Sequence, residues 1–496
     1  MRNWACVLTA GLAMGAAGCG NSKPTKPSGD GDGGAGNPDG TNALAKKLII
    51  LHTNDLHSHF MGQAPERDYT PLTTEDDMTT GGLARLATAI GSARTAAATT
   101  DTPVLLLDAG DFMMGTLFEL LALAEAPELK FMQSVGYDAT TIGNHELDWT
   151  PAGLAGILNR AKAEQVTVPV LASNMKFDPD SPDDDTLNAL ADQGFIKTKL
   201  VKTVGETDTT SGLKIGFFGL LGKDAVQVTP QRAPLTFDDI EVAAARMVAE
   251  LRDEDKVDLV IALSHSGINE AGKGEDADLA AAVPGIDIII SGHTHDTLAE
   301  PVTVGKTLIV TAGSYGRLLG QLHVSVTPAA SPGGQATVAL DGYTLQSIDD
   351  KIPGDPDTHA RVQTMVETLD NQISRALPNL TYGKVVAKTG GDLLTVGRGV
   401  ESPLGNLVAD AYRRVGAALQ PSDPPQIAVE ANGQLRADIL KGTTGDIWFA
   451  DLFRVTPLGI GPNQVPGFPL VTFYLNAKDI QSGLELGAAS ELVPND

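Results

Sequence analysis

Cysteine is nearly absent from this chain of 496 residues. The two that occur, Cys6 and Cys19, both lie in its first twenty positions. That excludes a disulfide framework, and it excludes a thiolate-held zinc or iron–sulfur site in the body of the protein. Basic residues are also scarce. Against 62 Asp and Glu stand 36 Lys and Arg, a net charge of −26. So anionic a surface repels phosphate backbones, which argues against non-specific DNA or RNA binding; no nucleic-acid polymer is expected as a partner. The apolar amino-terminal stretch, Trp4 to Ala17, is too short to span a bilayer as a mature helix. What remains is a chain long enough for two or three domains, and 42% hydrophobic residues to build their cores.

The amino terminus reads as an address. Arg2 supplies a positive start, the apolar stretch follows, and it ends in Ala16-Ala17-Gly18-Cys19. Small residues before a cysteine resemble the lipobox of bacterial lipoproteins. That resemblance implies that Cys19 is lipidated once residues 1–19 are processed. The protein is then expected to be exported and held by a lipid anchor at the cell envelope, on the periplasmic or outer-membrane face. Residues 20–45 are Gly, Pro, Asp and Ser with almost nothing to bury, and read as a flexible tether.

From Lys46 onward short apolar runs alternate with helical patterns. LIILHT, VLLLDA, YDATTIG, VPVLASN, LKIGFFGLLG, VDLVIALS, IDIIISG and TLIVTAGS read as strands. GGLARLATAIGSARTAAA, LFELLALAEAPELKFMQSVG and EVAAARMVAELRDED carry helical spacing. Buried strands alternating with helices indicate a layered α/β fold. Residues 46–345 form this first domain, with an acidic, solvated loop at 175–186. A linker at 346–382 holds one long helix, Thr358 to Leu377, and a second unit occupies 383–496.

Five segments share one layout, an apolar strand followed at once by His, Asp or Asn. They are HTNDLHSHF (52–60), DAGDFMMG (108–115), GNHELD (143–148), LSHSG (263–267) and SGHTHD (291–296), and they hold seven of the nine histidines. In an α/β sheet ligands collect at the carboxyl ends of strands, so the five clusters converge. Asp55 and His57 are two apart, which on an extended backbone points both side chains the same way; His293 and His295 repeat that spacing. Asp111 follows a glycine and can bridge two ions. With Asn144 and His265 they make seven groups, too many for one tetrahedral ion and about right for two divalent ions sharing a bridge. Mixed N and O donors suit zinc, manganese, iron or cobalt. The spacing alone does not divide the ligands between the ions. His145 and Asp148 are three apart and meet if GNHELD opens a helical turn, giving an oriented imidazole for acid–base work on a leaving oxygen. His52 and His59 read as supporting residues.

In order and spacing, across about 240 residues, D-x-H, GD, GNHE, H and GHTH resemble the calcineurin-like metallophosphoesterases. Within them the match is to the secreted branch of 5′-nucleotidases, UDP-sugar hydrolases and 2′,3′-cyclic phosphodiesterases. The resemblance implies a four-layer α/β/β/α sandwich with a second α/β substrate-binding domain. It implies that Asp55, His57, Asp111 and His295 hold one metal and Asp111, Asn144, His265 and His293 the other. Asp111 and a hydroxide would bridge them, and His145 with Asp148 would be the catalytic dyad. The implied reaction is in-line attack of water on the phosphorus of a nucleotide.

VESPLGNLVADAYRR, NGQLRADI and DLFRVTPLG in the second unit resemble that family's carboxy-terminal domain. Arg398 and Arg436 stand where its arginines bind the substrate phosphate. The chain departs from the pattern at Ala431, Gln434, Leu458 and Ile460. Leu458 replaces the phenylalanine that stacks on the base, a contact worth about 1–3 kcal/mol per base. The chain stops at Asp496, before the family's second stacking aromatic, so the second domain is expected to be incomplete. Two alternatives stay open: a phosphatase or cyclic phosphodiesterase for another small organophosphate, and a catalytically silent surface-binding lipoprotein. The complete ligand set weighs against the latter.

Overall fold

The computed structural model describes residues 45–207, 211–395, 400–461 and 466–490. Residues 1–44, which include Cys19, the stretch expected to be an address and most of the expected tether, lie outside these, as does Arg398.

Ten strands build two sheets. They are β1 (Lys46–Thr53), β2 (Val104–Asp108), β3 (Leu200–Val204), β4 (Leu213–Leu221), β5 (Leu259–His265), β6 (Ile288–Ser291), β7 (Val302–Val304), β8 (Thr307–Val310), β9 (Leu318–Thr327) and β10 (Thr337–Ser347). One sheet has the order β10-β9-β1-β2 and the other β7-β8-β6-β5-β4-β3. The chemistry-bearing strands run parallel: β1 with β2, and β5 with both β4 and β6. Their carboxyl ends therefore lie on one side of each sheet.

Alternation along β1 and β2 explains the layering. Leu48, Ile50, Leu105 and Leu107 face Phe217, Ile261 and Ile290 of the opposing sheet, forming the sheet-on-sheet core. The intervening Ile49, Leu51 and Leu106 face outward against Leu86 and Ile90 of helix α1 (Leu83–Ala98). On the far side, Val260, Ala262 and Ile289 pack on Met247 of α2 (Ile240–Ala249) and Leu279 of α3 (Glu275–Ala282). The result is the α/β/β/α sandwich.

Several elements differ from the sequence reading. The run 117–136 is not one helix. It breaks at Ala126, which takes φ 44 before Pro127, because proline lacks an N–H and disfavours helical geometry in the residue before it. YDATTIG and VPVLASN shrink to the two-residue strands Thr140–Thr141 and Val170–Leu171. Strands β9 and β10, not anticipated, form an antiparallel edge on the first sheet.

The long helix, α4 (Pro356–Ala376), is capped by Asp355 and buries Val362, Leu369 and Ile373 in the same core as α1. The second unit is smaller. Helix α5 (Pro403–Leu419) packs Leu404 and Val408 on Leu435, Ile439, Ile447 and Val455 beside the strand pair β11 (Val385–Lys388) and β12 (Asp446–Trp448). The apolar segment 469–476 forms no strand, while Ala477–Ser490 is helical. A loop of the first domain reaches the linker and the second unit: Arg67 lies 4.3 Å over the ring of Tyr382, at the linker's end, and 5.5 Å over that of Trp448.

Candidate metal centre

Each proposed ligand sits just past the end of a strand or in the loop after it. Asp55 and His57 follow β1, Asp111 follows β2, and His293 and His295 follow β6; His265 closes β5. The backbone there is not extended. Asp55, His57, Asp111, His293 and His295 have φ of 51, 50, 52, 81 and 60 degrees. Left-handed geometry at non-glycine residues costs about 1–3 kcal/mol each and persists only where the surroundings over-determine it. Asp55 and His57 still reach one cluster, though not on the extended backbone expected, whereas the same-side reading of His293 and His295 is corrected. Because the chain coils between them, His293 and His295 point into different clusters.

Two clusters form. Asp55, His57 and His295 converge, with His57 Nε2 2.9 Å from His295 Nε2 and His295 Nε2 3.3 Å from Asp55 Oδ1. Asp111, His265 and His293 converge in the second, where Asp111 Oδ2 lies 3.0 Å from His265 Nε2. Asn144 Oδ1 is 3.1 Å from the same nitrogen. Asp111 stands between the clusters: its Oδ2 is also 3.8 Å from His57 Nε2. All seven residues named from the sequence are thus brought together.

The loops are fixed by backbone contacts. Asp55 N–H donates to Gly110 O at 2.9 Å and His57 N–H to Asp111 O at 3.0 Å. Gly110 has φ 88 and a Cβ there would meet Gly143 N, while a Cβ on Gly143 would collide with Asp111 Oδ1. Glu146, buried and not singled out in the sequence reading, accepts N–H groups of Asp111 and Met113 at 3.0 Å and of Gly143 at 2.6 Å. Burial foremost pushes its carboxyl well above the usual range, with Asp111 adding to it. Its only sequence signal was its place inside GNHELD.

The donors fit divalent cations. His57 donates from Nδ1 to Met113 O at 3.2 Å and His265 from Nδ1 to Ala109 O at 2.8 Å, so Nε2 is the nitrogen each turns to its cluster. Burial draws the His265 pKa down, yet Asp111 overrides it and lifts the ring to about 10. Asp111 thus favours positive charge beside His265. Zinc- or manganese-type ions satisfy such a mixed N and O set.

His145 and Asp148 meet on a short 3₁₀ turn, His145–Leu147, with Nδ1 2.8 Å from Oδ2. Burial lowers the imidazole pKa, but Asp148 and Asp111 outweigh it and hold the ring above its ordinary value. His145 Nε2 faces Asp111 Oδ2 at 4.0 Å. Asp224, past the end of β4, was missed by the sequence reading; its Oδ2 lies 3.0 Å from His293 Nε2. His59 donates from Nδ1 to His57 O at 2.7 Å and stacks on Tyr315 at 4.1 Å, and His52 is buried against Tyr343.

A cavity of about 500 Å³ opens at His57, lined also by Tyr315, Arg317, Arg436, Asp438 and Arg454. Arg436 faces it from the second unit. Leu458 is buried, with 9% exposure, and does not line it.

A family model described as calcineurin-like phosphoesterase matches residues 48–297, and one described as 5′-nucleotidase, C-terminal domain matches residues 385–490. The chain is 28% identical over 477 residues to a trifunctional nucleotide phosphoesterase protein of Bacillus subtilis, covering 92% of this chain and 28% of that one. It is 30% identical over 436 residues to a snake venom 5′-nucleotidase of Gloydius brevicauda, covering 83% of this chain and 66% of that one. It therefore spans only about a quarter of the Bacillus protein's length. The crystal structure of a 5′-nucleotidase precursor from Thermus thermophilus superposes with a TM-score of 0.64 at 25% identity, covering 83% of this chain and 74% of that one.

Proposed function

The chain belongs to the calcineurin-like phosphoesterase family and is a metal-dependent phosphoric ester hydrolase; on that premise we propose that it hydrolyses nucleotides to nucleoside and inorganic phosphate using two divalent ions. Asp55, His57, His295 and Asp111 would hold one ion, and Asp111, Asn144, His265 and His293 the other. Such ions supply Lewis acidity toward the phosphoryl oxygens.

The chain's own residues do the rest. Arg436, facing the cavity beside His57, binds the phosphoryl group through its guanidinium fork and aligns it for in-line attack by water. As the P–O bond breaks, His145 donates the proton on Nε2 to the leaving oxygen. Asp148 accepts the Nδ1–H and so fixes which nitrogen carries that proton. Arg398 is assigned to the same phosphate from its motif. The observation carrying this reading is the pair of buried ligand clusters on either side of Asp111, next to the His145–Asp148 pair.

A second reading, a phosphatase or cyclic phosphodiesterase for another small organophosphate, draws on Leu458, which is aliphatic and buried where the family stacks a base. Turnover of AMP, UDP-glucose, 2′,3′-cAMP and p-nitrophenyl phosphate separates the two. Turnover of the aryl phosphate alone would sink the nucleotide assignment. Export and lipidation at Cys19 belong to the same proposal and rest on the sequence pattern. Mass spectrometry of the mature amino terminus tests them, and an unmodified Cys19 would overturn the anchor.

A further inference from the structure

Three guanidinium groups reach one cavity, and their surroundings differ. Arg454 is paired with Asp451 at 3.0 Å. Arg317 and Arg436 have no carboxylate partner among the described residues, although the cavity lies in a strongly acidic protein. Arg436 faces the phosphate under attack, which leaves Arg317 without an assignment.

Arg317 is held in place by rings rather than by charges. Its guanidinium carbon stands 4.9 Å from the centre of the Tyr315 ring. Tyr315, at φ 65, stacks in turn on His59 at 4.1 Å and meets the ring of His57 edge-on at 5.6 Å. Stacking on an aromatic face orients the planar fork and leaves its N–H groups free to donate. Two ring contacts in series therefore link it to the first ligand cluster. Three guanidinium groups on one cavity wall offer it N–H donors suited to an anion.

One attacked phosphoryl group accounts for Arg436 and the ions, but not for Arg317, which stands over the Tyr315 ring in the same cavity. The cavity, about 500 Å³, is within the range of sites that enclose a whole small ligand. We propose that Arg317, preorganised on Tyr315, is a specificity-determining residue that binds a second phosphoryl group of the substrate, beyond the one that is hydrolysed. This rests on the phosphoesterase reading above and adds to it a preference for substrates carrying two phosphoryl groups.

The test compares kcat/KM for ADP and AMP in the full chain carrying Arg317→Ala, with Arg317→Lys beside it. Losing a charge-assisted contact should lower the ADP-to-AMP ratio about tenfold in R317A, with R317K between it and the parent. An unchanged ratio overturns the proposal. A second arm needs no nucleoside: inhibition of p-nitrophenyl phosphate hydrolysis by methylenediphosphonate and by inorganic phosphate, at fixed free metal. R317A should weaken the diphosphonate about tenfold more than phosphate. Equal weakening of both inhibitors, or none, overturns the proposal. A selective effect in an enzyme that ignores AMP and ADP retires the nucleotide assignment and upholds the role of Arg317.

Discussion

Nδ1 of His145 lies 2.8 Å from Oδ2 of Asp148, and the other ring nitrogen is turned toward Asp111 at 4.0 Å. If His145 delivers a proton to the leaving oxygen, its importance must scale with that oxygen's basicity. His145→Asn is expected to lower kcat by about 10²–10⁴-fold on an alkyl ester such as AMP. The loss on p-nitrophenyl phosphate should be much smaller, since its phenolate leaves unaided. Steady-state kinetics on both substrates check this, and equal losses would remove His145 from proton delivery.

Chelation should abolish turnover, and manganese, zinc or cobalt should restore it. Elemental analysis of the loaded protein is expected near two ions per chain. Asn144→Ala touches one cluster and should shed one ion. Asp111→Asn stands between both and should reduce the content of each. Retention of two ions in D111N would contradict its shared position.

Gly143→Ala adds a single methyl group, yet that Cβ would collide with the carboxylate of Asp111. The variant should fold, keep its circular dichroism, and bind metal poorly. Wild-type metal content in G143A would show that the two loops have more room than their backbones indicate.

Arg85 is fully buried and donates to Asp77 Oδ2 and Asp350 Oδ1, each at 2.6 Å. It ties the loop that follows the first ligand segment to the linker before α4. Arg85→Met leaves two buried carboxylates without their cation and should lose about 3–5 kcal/mol of stability by urea denaturation.

The same network fixes a pH dependence. Burial alone would raise the Asp77 carboxyl, but Arg85 and the N–H groups of Thr70 and Thr79 hold it well below the usual carboxylate range. A carboxyl held low contributes stability that is complete above its unfolded value, roughly 3.9, and is lost as pH falls through the folded one. The wild-type urea midpoint should fall between about pH 5 and pH 2 more steeply than that of Asp77→Asn. Parallel curves would refute this.

The ligands were legible because each motif is short and sits at the end of a strongly apolar strand. Local chemistry and one topological rule were enough to gather them. The division between clusters was not, because it depends on backbone coiling at His293 and His295, for which alternating side chains give the wrong geometry. Glu146, Asp224, Tyr315 and Arg317 escaped for a different reason. Glu146 reaches Asp111 and Met113, Asp224 reaches His293, and Tyr315 reaches His59, all distant in sequence, while Arg317 depends on a Tyr315 that no motif singles out. Strands β9 and β10 were overlooked as an edge pair, with β10 largely open to solvent and correspondingly weak in apolar signal.

The five left-handed ligands have a consequence for how this site can change. Glycine adopts that backbone without penalty, whereas alanine does not. Replacing His293 by glycine should therefore yield a more stable metal-poor protein than replacing it by alanine, by about 1 kcal/mol. Mutational drift that relaxes these positions is downhill in folding energy, so the catalytic constellation persists by selection on turnover against a standing pull toward a sturdier, inert descendant.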